Sequence, residues 1–269
     1  MSTTKPGYSP IIPVPTEPWE EYVLTDIKVS HESEDTEFKK IVALGFDCEE
    51  SYTGGPHFFL EFMSTASRDL YIKTSASYSM ESTNYTLEKR NGGAWTACTP
   101  LKENNSAYSR QIKQNYSLSV IFPINRFLNN IENGKYRISV PFYYESGNHA
   151  GNLMIEFTLT RLTVTRADAD EKIASPLSVR ISPMTSGEKY VYNIITPQET
   201  AQIVECCNSL STEGNTINTN MSVSTFEISI IDSSNKEHVY YVQPDGTVIC
   251  NNQIYKSDKL YTLAVNAMR

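Results

Sequence analysis

The sequence lacks the common signatures of catalysis and of membrane insertion. It has no Gly-x-Ser-x-Gly elbow, no His-Glu-x-x-His, no P-loop and no Gly-x-Gly-x-x-Gly. No apolar run approaches the ~20 residues that cross a bilayer, and the first ten residues have no hydrophobic signal region. We therefore expect a protein that is not an enzyme and has no membrane-spanning segment. It is either cytoplasmic or exported by a signal that has been removed.

Cysteine is scarce and irregularly spaced. The five cysteines are Cys48, Cys98, Cys206, Cys207 and Cys250. An odd number without a Cys-x-x-Cys pair indicates neither a disulfide framework nor a zinc site. We expect buried or half-buried free thiols and no cofactor.

Positive charge is also in short supply. The formal net charge is −8, with 23 basic against 31 acidic residues, and the basic residues form no concentrated patch. Because such a surface repels a phosphate backbone, nucleic acid is excluded as a partner.

Aromatic residues are plentiful, and they favour strands. The 269 residues include 17 Tyr and 10 Phe, many beside Thr, Val or Ile. This composition predicts a mainly β fold, and the length favours two domains that each bury their own core.

The first half contains short strand signals separated by turn residues. In the segment Tyr85-Thr-Leu-Glu-Lys-Arg-Asn-Gly-Gly-Ala-Trp95, alternating residues precede an Asn-Gly-Gly turn, which predicts a hairpin that places Trp95 beside the first strand. The predicted strands are Tyr22–Ser30, Lys40–Phe46, Phe58–Met63, Leu70–Thr74, Tyr85–Lys89, Trp95–Cys98, Ser117–Ile121, Tyr136–Phe142 and Met154–Arg161. A helical turn is expected at Phe127–Ile131. This spacing predicts a two-sheet β-sandwich over residues 22–165, with Tyr85, Trp95 and Tyr136 as core or inter-strand anchors.

The order of these motifs resembles a bacterial immunoglobulin-like domain. The resemblance covers residues 23–164 and is carried by the Tyr-x-Leu-Glu-Lys hairpin, by Gly134-Lys-Tyr-Arg-Ile and by the closing Glu156-Phe-Thr-Leu strand. A glycine common before the hairpin is missing, and Val140 stands where a Lys often follows. The resemblance implies a surface or lipoprotein-like protein of a Gram-positive bacterium.

Two segments are predicted to connect rather than to fold. Residues 1–21 carry Pro6, Pro10, Pro13, Pro15 and Pro18, which predicts an extended tether or, equally, a frayed terminus. Residues 166–176 are charged and poor in β-branched residues, which predicts an interdomain linker. Its acidic residues lack the other ligands and the turn glycine of a calcium loop.

Residues 177–269 are predicted to form an α+β domain, an antiparallel meander with two helices. Thr196-Pro-Gln-Glu199 has the residues of a capping box before one helix. Ser257 caps the second helix. The predicted strands are Leu177–Ser182, Tyr190–Ile195, Phe226–Asp232, Val239–Gln243, Thr247–Cys250 and Gln253–Lys256.

Ionisable residues give only weak candidates for chemistry. The four histidines, His31, His57, His149 and His238, lie in turn-like or strand-end contexts and are expected on the surface. Cys48 and His57 form a nucleophile and base only if the fold brings them together. The carboxylate clusters at residues 32–37 and 47–50 are interpreted as solvated faces.

Two vicinal tyrosine pairs offer aromatic contacts. Tyr143-Tyr144 and Tyr240-Tyr241 lie on predicted strands, where neighbouring side chains point to opposite faces. Tyr144 and Tyr240 are therefore taken as the outward members and as candidate ligand contacts. Packing across strands explains tyrosines at these positions equally well.

The resulting hypothesis is a non-enzymatic extracytoplasmic protein. It acts in adhesion, ligand binding or envelope scaffolding, with a protein, peptide or glycan at the cell envelope as partner. The alternative is a sensor or regulatory module whose C-terminal domain binds a small molecule or peptide.

Overall fold

The computed structural model describes residues 17–51, 55–77, 79–184, 191–211, 225–251 and 253–268. Strands dominate these ranges, so the protein is mainly β. The chain divides into two compact units, Glu21–Leu162 and Thr163–Arg269, and residues 17–20 belong with the second. Most of the predicted tether, residues 1–16, lies outside the described residues.

In its described residues the first unit contains strands and two short 3-10 turns, at Phe38–Lys40 and Ile124–Arg126. Its strands are β1 (Trp19–Glu32), β2 (Ile41–Ser51), β3 (Gly55–Ser64), β4 (Leu70–Thr74), β5 (Thr86–Asn91), β6 (Ala94–Ala97), β7 (Tyr108–Ile112), β8 (Ser117–Pro123), β9 (Gly134–Tyr144) and β10 (His149–Arg166). Strands β2, β3 and β8 form one antiparallel sheet in that order. In the other sheet, β9 pairs with β10, β4 and β5, while β1 pairs with β10, β6 with β5 and β7 with β4.

Aromatic rings fill the space between these two sheets. Phe46 and Phe58 of the three-stranded sheet lie 5.0 Å and 5.2 Å from the ring of Phe157 on β10. Phe62 lies 5.3 Å from Phe142 on β9. All five side chains are buried, and each such burial stabilises the fold by about 1.5–3 kcal/mol. A shift of any of these strands by one residue would remove its phenylalanine from this core, so the aromatic contacts specify the strand register.

The predicted hairpin is confirmed. Arg90 on β5 pairs with Trp95 on β6, and Gly92 and Gly93 turn the chain with positive φ of 56° and 96°. Tyr85 and Tyr136 are buried, as expected of core anchors. Trp95 is only half-buried, so it is not a core residue.

Each strand predicted between Tyr22 and Arg161 overlaps an observed strand, but two local features differ from expectation. Strand β7 was not predicted, because an edge strand that pairs only with β4 keeps few buried side chains. The helical turn expected at Phe127–Ile131 lies instead at Ile124–Arg126, where the amide of Phe127 closes the turn on the carbonyl of Ile124 at 2.9 Å.

The second unit combines strands with two α-helices in the described ranges. Its elements are β11 (Pro176–Pro183), α1 (Pro197–Asn208), β12 (Phe226–Asp232), β13 (Lys236–Val242), β14 (Thr247–Cys250), β15 (Gln253–Lys256) and α2 (Asp258–Ala267). Strands β11 to β15 pair antiparallel, each with the next. The strand expected at Tyr190–Ile195 is wrong for residues 191–195, which contribute only a single bridge from Tyr192 to Ile181. Residue 190 lies outside the described residues.

The capping box of α1 is confirmed. The Thr196 hydroxyl accepts from the Glu199 amide at 3.2 Å, and Glu199 Oε2 accepts from the Thr196 amide at 2.8 Å. The helix then buries Ile203, Cys206 and Cys207 against the sheet. The predicted cap of α2 is also present, since Ser257 accepts from the Leu260 amide at 3.2 Å.

The segment interpreted as an interdomain linker packs inside the second unit. Ala167 and Ile173 are buried. The Asn208 side chain, at the end of α1, accepts from the Ile173 amide at 2.8 Å and donates to the Ile173 carbonyl at 3.1 Å. These contacts hold the segment against α1, so it is not a free linker.

Candidate functional site

Tyr240 lies on β13 and is 3% exposed, so its expected outward position is wrong. The alternation rule assumes that one face of the strand meets solvent. From residue 238 onward both faces of β13 are covered, since Val239, Tyr240 and Val242 are buried and Tyr241 keeps only intermediate exposure. Although Tyr240 is buried from solvent, its side chain lines a cavity.

This cavity, the Tyr240 cavity, has a volume of about 280 Å³ and lies within the second unit. It is bounded by the end of α1, by the segment that follows β10, and by β13 and β15. Its principal lining residues are Asp170, Cys207, Asn208, Ser211, Tyr240 and Tyr255. Pockets that enclose a drug-sized ligand measure about 300–1,000 Å³, so this one suits a small molecule or a single ring or side chain of a larger one.

The Tyr240 hydroxyl is available to an occupant of the cavity. In the described part of the chain it makes no hydrogen bond, and the side chain lines the cavity. Burial raises the pKa of Tyr240, and the nearby Cys207 and Cys250 thiols raise it further. The phenol therefore remains neutral and offers one donor and one acceptor.

The other polar groups of the wall are held by the protein itself. The Tyr255 hydroxyl contacts the Ala169 carbonyl at 3.1 Å and Gln253 Oε1 at 2.9 Å. Asn208 is occupied by both backbone groups of Ile173. These bonds fix the shape of the cavity before any ligand arrives, which reduces the entropic cost of binding.

The thiols near the cavity are poor nucleophiles. Burial raises the pKa of Cys207 well above its ordinary value, and burial raises the pKa of Cys250 to about 11. Because the thiolate is the reactive form, neither sulfur is activated for catalysis. Cys207 contributes an apolar surface to the cavity wall, and Cys250 is not among the lining residues.

The carboxylates at the mouth of the cavity differ in their pairing. Glu171 is paired with Lys236, whose hydrogen bond lowers the pKa of the carboxyl. Asp170 is exposed and forms no ion pair in the described ranges. The lining therefore carries the Asp170 carboxylate and also the Lys172 ammonium, which donates to the Asn208 carbonyl.

Tyr144, the other candidate contact, lies in the first unit and is engaged by its neighbours. Its hydroxyl donates to Asp35 Oδ2. The guanidinium of Arg68 lies 3.9 Å from its ring centroid and 3.5 Å from the same carboxylate oxygen. The Tyr144 hydrogen bond lowers the pKa of Asp35. With one ring face and the hydroxyl both occupied, Tyr144 offers less surface to a ligand than the sequence indicated.

The remaining candidates do not form a site. Cys48 pairs with Phe58 on β3 and Glu49 with His57, so Cys48 and His57 point to opposite faces of the sheet. All five cysteines are free, with Cys98 half-buried and the others buried, as expected. The described residues contain no group of three or more metal-ligating side chains.

Two ionisable residues expected at the surface are buried. Asp47 is 2% exposed on β2, where its Oδ1 accepts from the Cys48 amide at 2.9 Å. His238 is buried on β13, where its Nε2 lies 3.2 Å from Asp232 Oδ2. A polar residue can be internal where the fold provides such partners.

Sequence reasoning missed most of the lining of the Tyr240 cavity. Cys207, Asn208 and Tyr255 looked like ordinary helix and strand residues, and only their packing against the segment after β10 brings them together. The acidic run containing Asp170 was the one local signal, and it predicted an interdomain linker that lacks the other ligands of a calcium loop.

No protein-family model matches this chain, and no curated protein matches it. Within the described ranges, neither helix is long or apolar enough to cross a membrane.

Proposed function

We propose that this protein is a non-catalytic binding protein, and that the unit Thr163–Arg269 holds a small polar ligand in the Tyr240 cavity. The observation that carries the proposal is the Tyr240 side chain, which is 3% exposed and lines the cavity, with a hydroxyl that has no hydrogen-bond partner in the described chain. A ligand with one acceptor or donor at this depth completes that hydrogen bond, while the apolar ring and the Cys207 thiol contact the rest of it. This is the sensor or binding-module function among the expected alternatives.

The hydrogen bonds that hold the wall of the Tyr240 cavity favour a ligand-binding function for this unit over a scaffolding function. A purely structural domain gains nothing from an open cavity, because unfilled space forfeits packing energy. Here the cavity is maintained by side-chain hydrogen bonds from Asn208 and Tyr255.

A thermal-shift screen of the full chain tests this function. The probes are N-acetylglucosamine, muramyl dipeptide and a set of di- and tripeptides, each added in excess. A ligand of the folded state raises the melting temperature by mass action. We expect at least one probe to raise the melting temperature. Tyr240→Phe should weaken the affinity for that probe by roughly 2- to 13-fold, the range given by one net hydrogen bond.

Two matched variants separate the cavity from other surfaces. Ser211→Trp fills the mouth from an exposed position and should abolish the shift, whereas Ala201→Trp, exposed on α1, should leave it unchanged. Tyr241→Phe is the control for loss of a hydroxyl on β13. The proposal fails if no probe shifts the wild type, or if the shift survives Ser211→Trp.

For the unit Glu21–Leu162 we propose an immunoglobulin-like sandwich that acts in adhesion or scaffolding at a Gram-positive cell surface. The two facing sheets with their phenylalanine core favour this class. Protease treatment of intact cells that carry the natural gene tests the location. Removal of the protein without cell lysis supports it, and protection of the protein until lysis contradicts it.

A further inference from the structure

A second concave surface lies on the first unit, and neither Tyr144 nor Tyr240 is among its lining residues. This depression, the Trp95 groove, has a volume of about 160 Å³. The lining residues that matter for recognition are Asp26, Lys28, Arg90, Trp95, Lys135 and Glu156. No sequence motif pointed to it.

The strand register explains why these residues meet. Lys135 on β9 lies opposite Thr158 on β10, and the Thr158 hydroxyl donates to Asp26 Oδ2 on β1 at 3.0 Å. On the neighbouring hairpin, Arg90 lies opposite Trp95. Because side chains alternate along each strand, the residues gather on one face of the sheet.

Trp95 provides an ordered aromatic wall. The Arg137 guanidinium lies 4.8 Å from the centroid of its ring and is itself paired with Glu88 at 2.6 Å. The indole is thereby held in place while it keeps intermediate exposure. A positioned aromatic ring of this kind supplies apolar contact at a small cost in side-chain entropy.

The cations of the groove have unused binding capacity. Lys28 and Lys135 are exposed, and neither forms an ion pair or hydrogen bond in the described ranges. Arg90 donates to the Gly93 carbonyl of its own turn at 3.4 Å, and its guanidinium lies 5.9 Å from the centroid of the Trp95 ring. Glu156 is paired with Arg137 at 3.8 Å, so the three lining cations face Asp26 as the one lining carboxylate without an ion pair in the described ranges, and the groove is net positive on a chain whose net charge is −8.

Asp26, a lining residue of the groove, has an unusual backbone conformation. Its φ of 53° is in the left-handed region inside strand β1. A residue other than glycine adopts this conformation at some energetic cost, and such positions concentrate at functional sites. The conformation sets the Asp26 carboxylate beside Thr158 at the groove.

We propose that the Trp95 groove binds a sugar that carries a carboxylate, such as a hexuronate at the end or within an acidic glycan. The C–H face of the pyranose packs on Trp95, and the carboxylate is held by Lys28 and Lys135 through charge-assisted hydrogen bonds. The sugar hydroxyls donate to Asp26 and Glu156. This activity is separate from the Tyr240 cavity and does not depend on the function proposed for it.

The mixed charge of the groove favours a sugar over an acidic peptide. The side chains of an acidic peptide offer no hydroxyl donors to Asp26 and Glu156, whereas a hexuronate brings a carboxylate for the lysines and several hydroxyl donors that Asp26 and Glu156 accept. The small volume also fits one ring better than a chain of side chains.

Isothermal titration of the full chain with trigalacturonate tests the proposal, with its methyl ester and hexa-aspartate as comparison probes. We expect trigalacturonate to bind and the ester to bind at least tenfold more weakly. Trp95→Ala should weaken binding about tenfold, and Lys28→Met or Lys135→Met about threefold to tenfold each.

Matched variants distinguish the groove from general charge or misfolding. Lys113→Met removes an exposed lysine elsewhere in the same unit and should bind as the wild type does. Trp95→Phe keeps an aromatic ring and should retain most of the affinity, and circular dichroism checks that each variant is folded. Equal binding of trigalacturonate and its ester, stronger binding of hexa-aspartate, or no binding of trigalacturonate would overturn the proposal.

Discussion

His238 and Asp232 face each other in the interior of the second unit, with 3.2 Å between Nε2 and Oδ2. The two side chains are 1% and 2% exposed. Asp232 closes β12 and its Oδ1 also accepts from the amides of Ser234 at 2.8 Å and Lys236 at 3.2 Å. The carboxylate therefore fixes the turn between β12 and β13, the strand that carries Tyr240.

Asp232→Asn should destabilise the second unit by about 1–3 kcal/mol, because an amide nitrogen replaces an oxygen that accepts from buried donors. Asp168→Asn is the matched control, since Asp168 is exposed. The urea midpoint of each variant measures the effect. Equal midpoints for the two variants would show that the buried carboxylate contributes nothing specific.

The same carboxylate predicts a loss of stability in acid. Burial alone raises the pKa of Asp232, but hydrogen bonds from Ser234, His238, Ala174 and Lys236 outweigh it and hold the pKa below its ordinary value. A folded-state pKa below the unfolded one stabilises the fold above about pH 4 and ceases to do so as the pH falls through the folded-state pKa. The difference in melting temperature between wild type and Asp232→Asn should therefore shrink from pH 6 to pH 2.5. A difference that stays constant over this range contradicts the assignment.

The sequence predicted the positions of strands and helices better than it predicted which side chains are buried. The hairpin at Trp95 and the cap at Thr196 depend on residues within a few positions of each other, so local rules identify them. The burial of Tyr240 and His238 depends on α1 and the segment after β10, which cover β13 from distant parts of the chain. The same limit applies to both candidate sites, because the Tyr240 cavity and the Trp95 groove each assemble side chains from several separate elements.

Cys98 should be the first thiol modified by iodoacetamide in the folded protein. It is half-buried, whereas the other four cysteines are buried. Burial also raises the pKa of Cys98, so its modification should be slow at pH 7 and should accelerate as the pH rises. Mass spectrometry of peptides after timed labelling gives the order, and urea-unfolded protein shows that all five can react. Early labelling of Cys207 or Cys250 in the native state would contradict the packing of the second unit.

Gly147 lies just before β10 and Gly151 lies near its start, but the two glycines should respond differently to substitution. A Cβ on Gly151 would lie 2.6 Å from the Ser33 Cβ and 2.7 Å from the Phe38 ring, whereas Gly147 has open space but a φ of +82°. Gly151→Ala should therefore cost about 1–3 kcal/mol by overpacking. Gly147→Ala should cost about 1–2 kcal/mol through its backbone conformation.

Asparagine substitutions distinguish overpacking from backbone strain, because asparagine tolerates the left-handed region but occupies more space than alanine. Gly147→Asn should recover most of the stability lost in Gly147→Ala, and Gly151→Asn should be less stable than Gly151→Ala. Urea midpoints of the four variants measure this pattern. If asparagine rescued position 151 or failed to rescue position 147, the contact of β10 with Ser33 and Phe38 or the turn after Tyr144 would not be as described.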